Sequence, residues 1–237
     1  MRIENIGMQD QEEIETEAEN VSEIITLFGM DGPVGKHFVK LALSAGYHIQ
    51  ALSNDKNQSV EHECLQVIHG DLSVGDKVLE ELLLNSTYIV CLLSDTIPKK
   101  DYPEGLIRNF ISRLYPLVKE SPVRVFLYQA TSTTVDASTG NSPTLASILK
   151  LIRKNKFQDD QDSVVKYIGE NTEPWFSFIV TRPGWTIEGP SRKRLLASRS
   201  LPGPIPITNL DLADFSLSAL RMEKLYNSCP YVVGDGF

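Results

Sequence analysis

The chain reads as a doubly wound α/β domain, one parallel sheet with helices on both faces, and three observations predict it. An apolar run, Ile24-Ile25-Thr26-Leu27-Phe28, is followed at once by glycines spaced Gly29-x-x-Gly32-x-x-Gly35. Beyond that turn, Val34, Phe38, Leu41, Ala42 and Ala45 fall on one helical face. Along the rest of the chain short apolar runs alternate with helical stripes. One of them, residues 88–93, is apolar throughout, as a strand covered on both faces must be.

Each element follows from local chemistry. The strand at 24–28, the glycine turn and the helix make the first half of a dinucleotide-binding unit. A small turn lets the backbone approach a pyrophosphate, and the N–H groups at the helix start stabilise its charge. Pro33 suits a first helical turn, where it loses no hydrogen bond. Residues 47–52 form a second strand, ended by the polar Ser53-Asn54-Asp55-Lys56-Asn57. An adenosine ribose lies at such a strand end, where a carboxylate favours a free 2′-hydroxyl and a cation favours a 2′-phosphate. Asp55 and Lys56, side by side, pull in opposite directions.

Residues 65–68 are the third strand, followed by Gly70-Asp71-Leu72, where an acid either faces an adenine ring or caps the next helix, 74–84. The fourth strand, 88–93, closes at Ser94 and Asp95, and a Pro- and Lys-containing loop runs over 95–105. Leu106, Ile107, Phe110, Ile111, Leu114, Leu117 and Val118 then make a clean helical stripe. The fifth strand is 123–128. Beyond it lies Gln129-Ala130-Thr131-Ser132-Thr133-Thr134, a polar loop at the carboxyl end of a central strand, where open α/β sheets hold their ligands.

Ser142-Pro143 starts another helix with Leu145, Ile148, Leu149 and Ile152 on one face, and Arg153, Lys154 and Lys156 complement the dipole at its end. A helix over 159–168 carries Lys166, and the sixth strand, 176–181, ends at Arg182-Pro183-Gly184. Residues 185–204, with Pro190, Pro202, Pro204 and the cluster Arg192-Lys193-Arg194, form an irregular excursion of the kind that closes on substrate. A last helix runs from Asp211 through Leu217, Leu220 and Met222, and Tyr231-Val232-Val233 is a terminal strand.

Composition bounds the function. Of the net charge of −8, most lies in residues 1–20, where seven acids face one arginine, so residues 1–22 are expected to be a disordered acidic tail and residues 23–237 one Rossmann-like domain. The remaining body is close to neutral, which argues against nucleic acid as a partner. No run reaches membrane-spanning length, and the N-terminus has neither the apolar core of a secretory signal nor the basic character of a transit peptide. Cys64, Cys91 and Cys229 are too scattered for a disulfide frame or a metal site, and His37, His48, His62 and His69 lack ligand spacing. No metal and a reducing, cytoplasmic location are therefore expected.

Together the landmarks resemble an atypical short-chain dehydrogenase/reductase, in the pattern of NmrA-like proteins and biliverdin-IXβ/flavin reductases. The resemblance covers about residues 23–235. It rests on the three glycines, on Gly70-Asp71, on the polar loop after the fifth strand, on Lys166 sixteen residues before Arg182-Pro183-Gly184, and on residues 207–214. It implies a single domain binding NADP, or NAD, across the carboxyl ends of the strands. Gly29, Asp31, Gly32, Pro33, Val34 and Gly35 would hold the pyrophosphate, Asp71 and Leu72 would flank adenine, and Leu93 and Ser94 the nicotinamide ribose. Three departures stand out. Asn54, with Lys56 nearby, replaces the arginine that meets the 2′-phosphate in the subgroup; the serine after the fifth strand falls near Ala130, leaving Thr131 and Ser132 as hydroxyls; and the tyrosine of the Tyr-x-x-x-Lys pair is Asp162, leaving Lys166 alone.

Ketone reduction creates an alkoxide that needs a placed proton donor. Hydride transfer to a flavin or tetrapyrrole spreads the charge over a conjugated system and needs mainly orientation. The sequence thus favours an NAD(P)-dependent reductase of a conjugated small-molecule acceptor. The alternative is a non-catalytic NAD(P)-sensing or protein-interaction module, with the acidic tail as a docking arm. An S-adenosylmethionine-dependent methyltransferase fits less well, because the glycine spacing suits a pyrophosphate.

Overall fold

The computed structural model describes residues 23–56, 60–95, 97, 102–118, 121–137, 155–192 and 194–234. The first strand, β1 (Ile24–Phe28), runs through the glycine turn into α1 (Pro33–Ser44). It is followed by β2 (His48–Ser53), β3 (Leu65–His69), α2 (Asp76–Leu83) and β4 (Tyr88–Cys91). Then come α3 (Leu106–Leu117), β5 (Val125–Gln129), α4 (Lys156–Glu170) and β6 (Ser177–Pro183). The remainder is β7 (Thr186–Ile187), β8 (Leu195–Ser198), β9 (Ile207–Thr208), α5 (Asn209–Ala219) and β10 (Tyr231–Gly234).

Eight strands form one sheet in the order β3-β2-β1-β4-β5-β6-β10-β8. All neighbours are parallel except β10 and β8. The chain winds outward from β1 to β3, then returns to β4 on the other side of β1, so the order reverses between β1 and β4. Crevices at that reversal open at the carboxyl ends of the strands. The pairing Phe28↔Cys91 and Phe28↔Leu52 brings the ends of β4 and β2 level with the start of the glycine turn.

Successive strand residues face opposite layers. Phe28, Ile89, Cys91, Phe126 and Tyr128 pack with α2, α3 and α4, against Leu79, Phe110, Leu114, Val164 and Ile168. Leu27, Tyr88, Val90, Val125 and Leu127 point the other way, onto Phe38, Ala42, Leu212 and Phe215 of α1 and α5. Each large side chain so buried contributes about 1.5–3 kcal/mol of transfer free energy, so the two layers, rather than helix propensity, hold the scaffold.

The excursion 185–204 departs from its expected irregular form. Leu195–Ser198 is an edge strand, antiparallel to β10, and Thr186–Ile187 pairs with Ile207–Thr208. The prolines and charges of the segment concealed a four-residue run whose first residue, Leu195, is buried. The helix expected over 159–168 begins earlier, at Lys156, because the Asn155 side chain accepts a hydrogen bond from the Phe157 N–H at 3.1 Å and caps it. Lys156 therefore sits at a helix start and not at the end of a preceding helix. Asp71 does not cap α2, which begins five residues later; it accepts from the Ser73 N–H at 2.7 Å and the Ser73 hydroxyl at 2.5 Å in a local turn. The fourth strand ends at Cys91, and Leu93–Asp95 is a single 3-10 turn. The acidic tail and the helix expected from Ser142 lie outside the described residues. Among the described residues no helix is long and apolar enough to cross a membrane, and no His, Cys, Asp and Glu cluster has metal-binding geometry.

Candidate functional site

The turn between β1 and α1 is built by two of its three glycines. Gly29 has φ +98°, and a Cβ there would lie 2.5 Å from the Leu92 carbonyl oxygen. A Cβ on Gly35 would lie 2.1 Å from the Gly29 carbonyl oxygen. Both contacts are impossible without moving backbone, so these positions require glycine for the turn itself. Gly32 is different. Its φ of −74° and ψ of 167° are extended backbone that any residue adopts.

Gly32 is the N-cap of α1, and it supplies no side-chain cap; the first turn of α1 carries no acid, and Pro33 opens it. Helix starts of this kind ordinarily recruit Ser, Thr, Asp or Asn to satisfy the first N–H groups. Asp31, one residue upstream, is drawn elsewhere. One carboxylate oxygen accepts from the Ser53 hydroxyl at 2.7 Å, the other from the Asn54 N–H at 3.0 Å, so it fastens the glycine turn to the end of β2.

Beside the turn, at the carboxyl ends of β1 to β4, lies a cleft of about 530 Å³. Its walls bring together Gly29 and Asp31 of the turn, Asn54 and Asp55 after β2, Asp71 and Leu72 after β3, and Leu93 after β4. Its floor is apolar, from Phe28, Leu52, Ile97 and Leu106. Two hydrogen bonds from Ser73 hold the Asp71 carboxyl below its ordinary range. Gly32, Pro33, Val34, Gly35 and Lys56 adjoin this wall through the chain without lining the cleft.

Ser94, Thr131, Ser132 and Lys166 do not line the cleft either. The Ser94 hydroxyl is buried and accepts from the Gln129 amide at 3.1 Å, which ties the end of β5 to the turn after β4. Thr131 donates to Gln158 Oε1 at 3.1 Å and shares hydroxyl contacts with Thr134 at 2.9 Å and Thr133 at 3.1 Å. Asp162, one helical turn beyond Gln158, accepts from the Val135 N–H at 3.0 Å and from the Gln158 amide at 3.3 Å. The loop after β5 is thus stapled to α4 through polar side chains. Lys166 lies a turn further along α4 and is exposed. Ser132 is half-exposed on the same loop.

Asp160, Trp185 and Glu188 shape this region and were not singled out in the sequence, and Arg182, named there only as a landmark, turns out to be a buried anchor. Asp160, only 3% exposed, reaches from α4 to the start of α3. It accepts from the Tyr102 hydroxyl at 2.5 Å and from the N–H groups of Ile107 and Arg108 at 2.8 and 3.0 Å. Gly105 before that helix has no side chain to cap it, so the cap comes from another helix. The signal was present: Asp160 falls on the same helical face as Phe157, Val164 and Ile168, where an acid is out of place unless bonded. Arg182 at the end of β6 is also buried. It donates to the Cys229 carbonyl at 2.9 Å and the Asp136 carboxylate at 3.2 Å, and stacks on Tyr231 at 4.0 Å. Trp185, just beyond it, is 72% exposed, and its carbonyl accepts from the Ile207 N–H at 3.0 Å. Glu188 accepts from His37 on α1 and from Asn209, both at 2.8 Å, and so anchors that segment.

No model of a protein family matches the chain, and no curated protein does. Solved structures do. A short-chain dehydrogenase/reductase from Veillonella parvula, in complex with NADP, is similar over 90% of this chain and 95% of its own, with a TM-score of 0.68 at 12% identity. The oxidoreductase ylbE from Lactococcus lactis is similar over 89% of this chain and 90% of its own, with a TM-score of 0.67 at 13% identity. ChuY, an anaerobillin reductase from Escherichia coli O157:H7, is similar over 90% of this chain and 98% of its own, with a TM-score of 0.63 at 13% identity. The chain therefore has the Rossmann-like fold of these structures.

Proposed function

We propose that the chain is an NAD(P)-dependent oxidoreductase of the atypical short-chain type, acting on a conjugated small-molecule acceptor, flavin- or tetrapyrrole-like, in the cytoplasm. The observation that carries the reading is the start of α1. A glycine that the backbone does not require stands at an N-cap that no side chain fills, beside a cleft at the topological switch point. An anionic group on those N–H groups satisfies both anomalies. The residues fit a dinucleotide: Gly29, Asp31, Gly32, Pro33, Val34 and Gly35 would border the pyrophosphate, and Asn54, Asp71, Leu72 and Leu93 the adenosine half. NADP in the Veillonella parvula neighbour supports the cofactor class.

A bound reduced nicotinamide supplies hydride; the chain's own groups orient and enclose. Thr131, Ser132 and Lys166 are assigned to the acceptor end, Thr131 held in place by Gln158. Where a ketone reductase of this family carries tyrosine, Asp162 is occupied as an acceptor of two hydrogen bonds and leaves no phenol to protonate an alkoxide. An acceptor that delocalises its charge needs no such donor. The exposed indole of Trp185, beyond the end of β6, offers a stacking surface for a planar ring system. The cytoplasmic location draws support from three free cysteines.

The same Asp162 favours a second reading, a non-catalytic NAD(P)-sensing or protein-interaction module, with the acidic N-terminal tail as a candidate docking arm. Absorbance at the reduced-nicotinamide band, followed after adding FMN or a linear tetrapyrrole to the full chain, separates the two. The reductase reading expects acceptor-dependent oxidation of the dinucleotide; binding without oxidation of the dinucleotide by either acceptor would replace it by the sensing module.

A further inference from the structure

We infer that the cleft selects a dinucleotide whose adenosine ribose carries a free 2′-hydroxyl, NAD over NADP, and that Asp31 of the glycine turn sets the selection. This rests on the cofactor reading above and narrows it. Asp31 reaches out of the turn to the end of β2, where the adenosine ribose lies in this fold. There it occupies two of the local donors that could otherwise serve a 2′-phosphate. The Ser53 hydroxyl donates to one carboxylate oxygen at 2.7 Å, and the Asn54 N–H to the other at 3.0 Å.

Among the described residues that line the cleft, Asp55 and Asp71 are acids and none is a lysine or arginine. Lys56 is exposed beside it and does not line it. Arg113, behind the loop after β3, donates to Asp76 at 2.8 and 3.0 Å and also to the Leu72 and Val74 carbonyls. A phosphate monoester brings a further charge of about −1.5 to −2 into this acidic wall. A 2′-hydroxyl instead brings one donor. A carboxylate has about four lone-pair sites, and Asp31 spends two of them on Ser53 and Asn54. The remaining sites can accept a ribose hydroxyl. The determinant thus lies in the glycine turn and not in the loop after β2, where Asp55 and Lys56 give opposite signals.

Calorimetric titration of the full chain with NADH and with NADPH tests this without relying on turnover. NADH is expected to bind at least about tenfold more tightly at low salt, the gap narrowing as salt screens the repulsion. Asp31→Asn keeps the shape and removes the charge, and it should reduce the ratio by at least about fivefold through tighter NADPH binding. Should that variant fail to fold, Asp31→Thr serves the same comparison. Equal or tighter NADPH binding by the unmodified chain overturns the selection and leaves the cofactor reading standing, as does an unchanged ratio in a folded Asp31 variant. Binding of neither dinucleotide overturns both.

Discussion

The two halves of the sheet's carboxyl edge use polar residues in opposite ways. At β1 to β3 the turns after the strands line an open cleft, closed on its other side by the segment after β4; its acids lie at the wall, and a helix start is left without a side-chain cap. At β4 to β6 the polar groups turn on one another. Ser94 binds Gln129, Thr131 binds Gln158, and Asp162 binds Val135. One half is arranged to receive a ligand, the other is braced. On the proposed reading, the open half would bind the cofactor and the braced half would lack proton-transfer chemistry of the usual kind. That is why delocalised acceptors, or none, are the chemistry proposed.

Substitutions in either half test this contrast. The largest effect is expected from Gly35→Ala, which removes a flexible glycine from a helix yet places Cβ 2.1 Å from the Gly29 oxygen. Urea denaturation should show a loss of about 3 kcal/mol, as for overpacking of a rigid contact. Next is Asp160→Ala in the braced half. It removes a carboxylate bonded to Tyr102, Ile107 and Arg108 and leaves the start of α3 uncapped. A loss of about 2 kcal/mol is expected, with affinity for the dinucleotide largely retained.

A smaller change should follow Asp162→Ala, since Asp162 itself is half-buried and water can replace one partner. About 1 kcal/mol is expected, again from urea denaturation; a loss of dinucleotide binding in this variant would erase the distinction between the halves. Smallest is a difference in thiol chemistry. Burial pushes the Cys229 thiol up to about 11, and Cys91 is fully buried, whereas Cys64 is half-exposed. At pH 8 the Cys229 thiolate is then only about one part in a thousand. Maleimide labelling of the native chain should modify Cys64 first, and all three should react after denaturation.

The two halves were not equally legible in the sequence. Every parallel strand of the eight-stranded sheet announced itself as an apolar run, whereas the two-residue strands β7 and β9 did not; β1, α1 and the glycine turn carried the fold because their spacing is set by sterics that local residues fix. The wall residues Asp71 and Leu72 were legible for the same reason, lying directly after a strand. The braced half was legible only in part. Asp162 could be placed by its distance from Lys166, but its bond to Val135 spans 27 residues and leaves no local trace. Ser94 was expected at the ribose and lies buried against Gln129, a pairing over 35 residues. The edge strand Leu195–Ser198 was hidden because an antiparallel partner, β10, arrives only from the far end of the chain.

On the proposed reading the unfilled start of α1 holds the dinucleotide phosphates, and Gly32→Asp puts that to the test. The extended backbone at Gly32 accommodates aspartate, which is also a favoured N-cap, so thermal melting should change little. The side chain and its charge would, however, occupy the phosphate path. Titration with NADH should then show affinity reduced by at least about a hundredfold, since both a lost contact and a like charge act together. Affinity equal to that of the unmodified chain, in a variant that melts normally, would remove the start of α1 from the site and place any dinucleotide elsewhere.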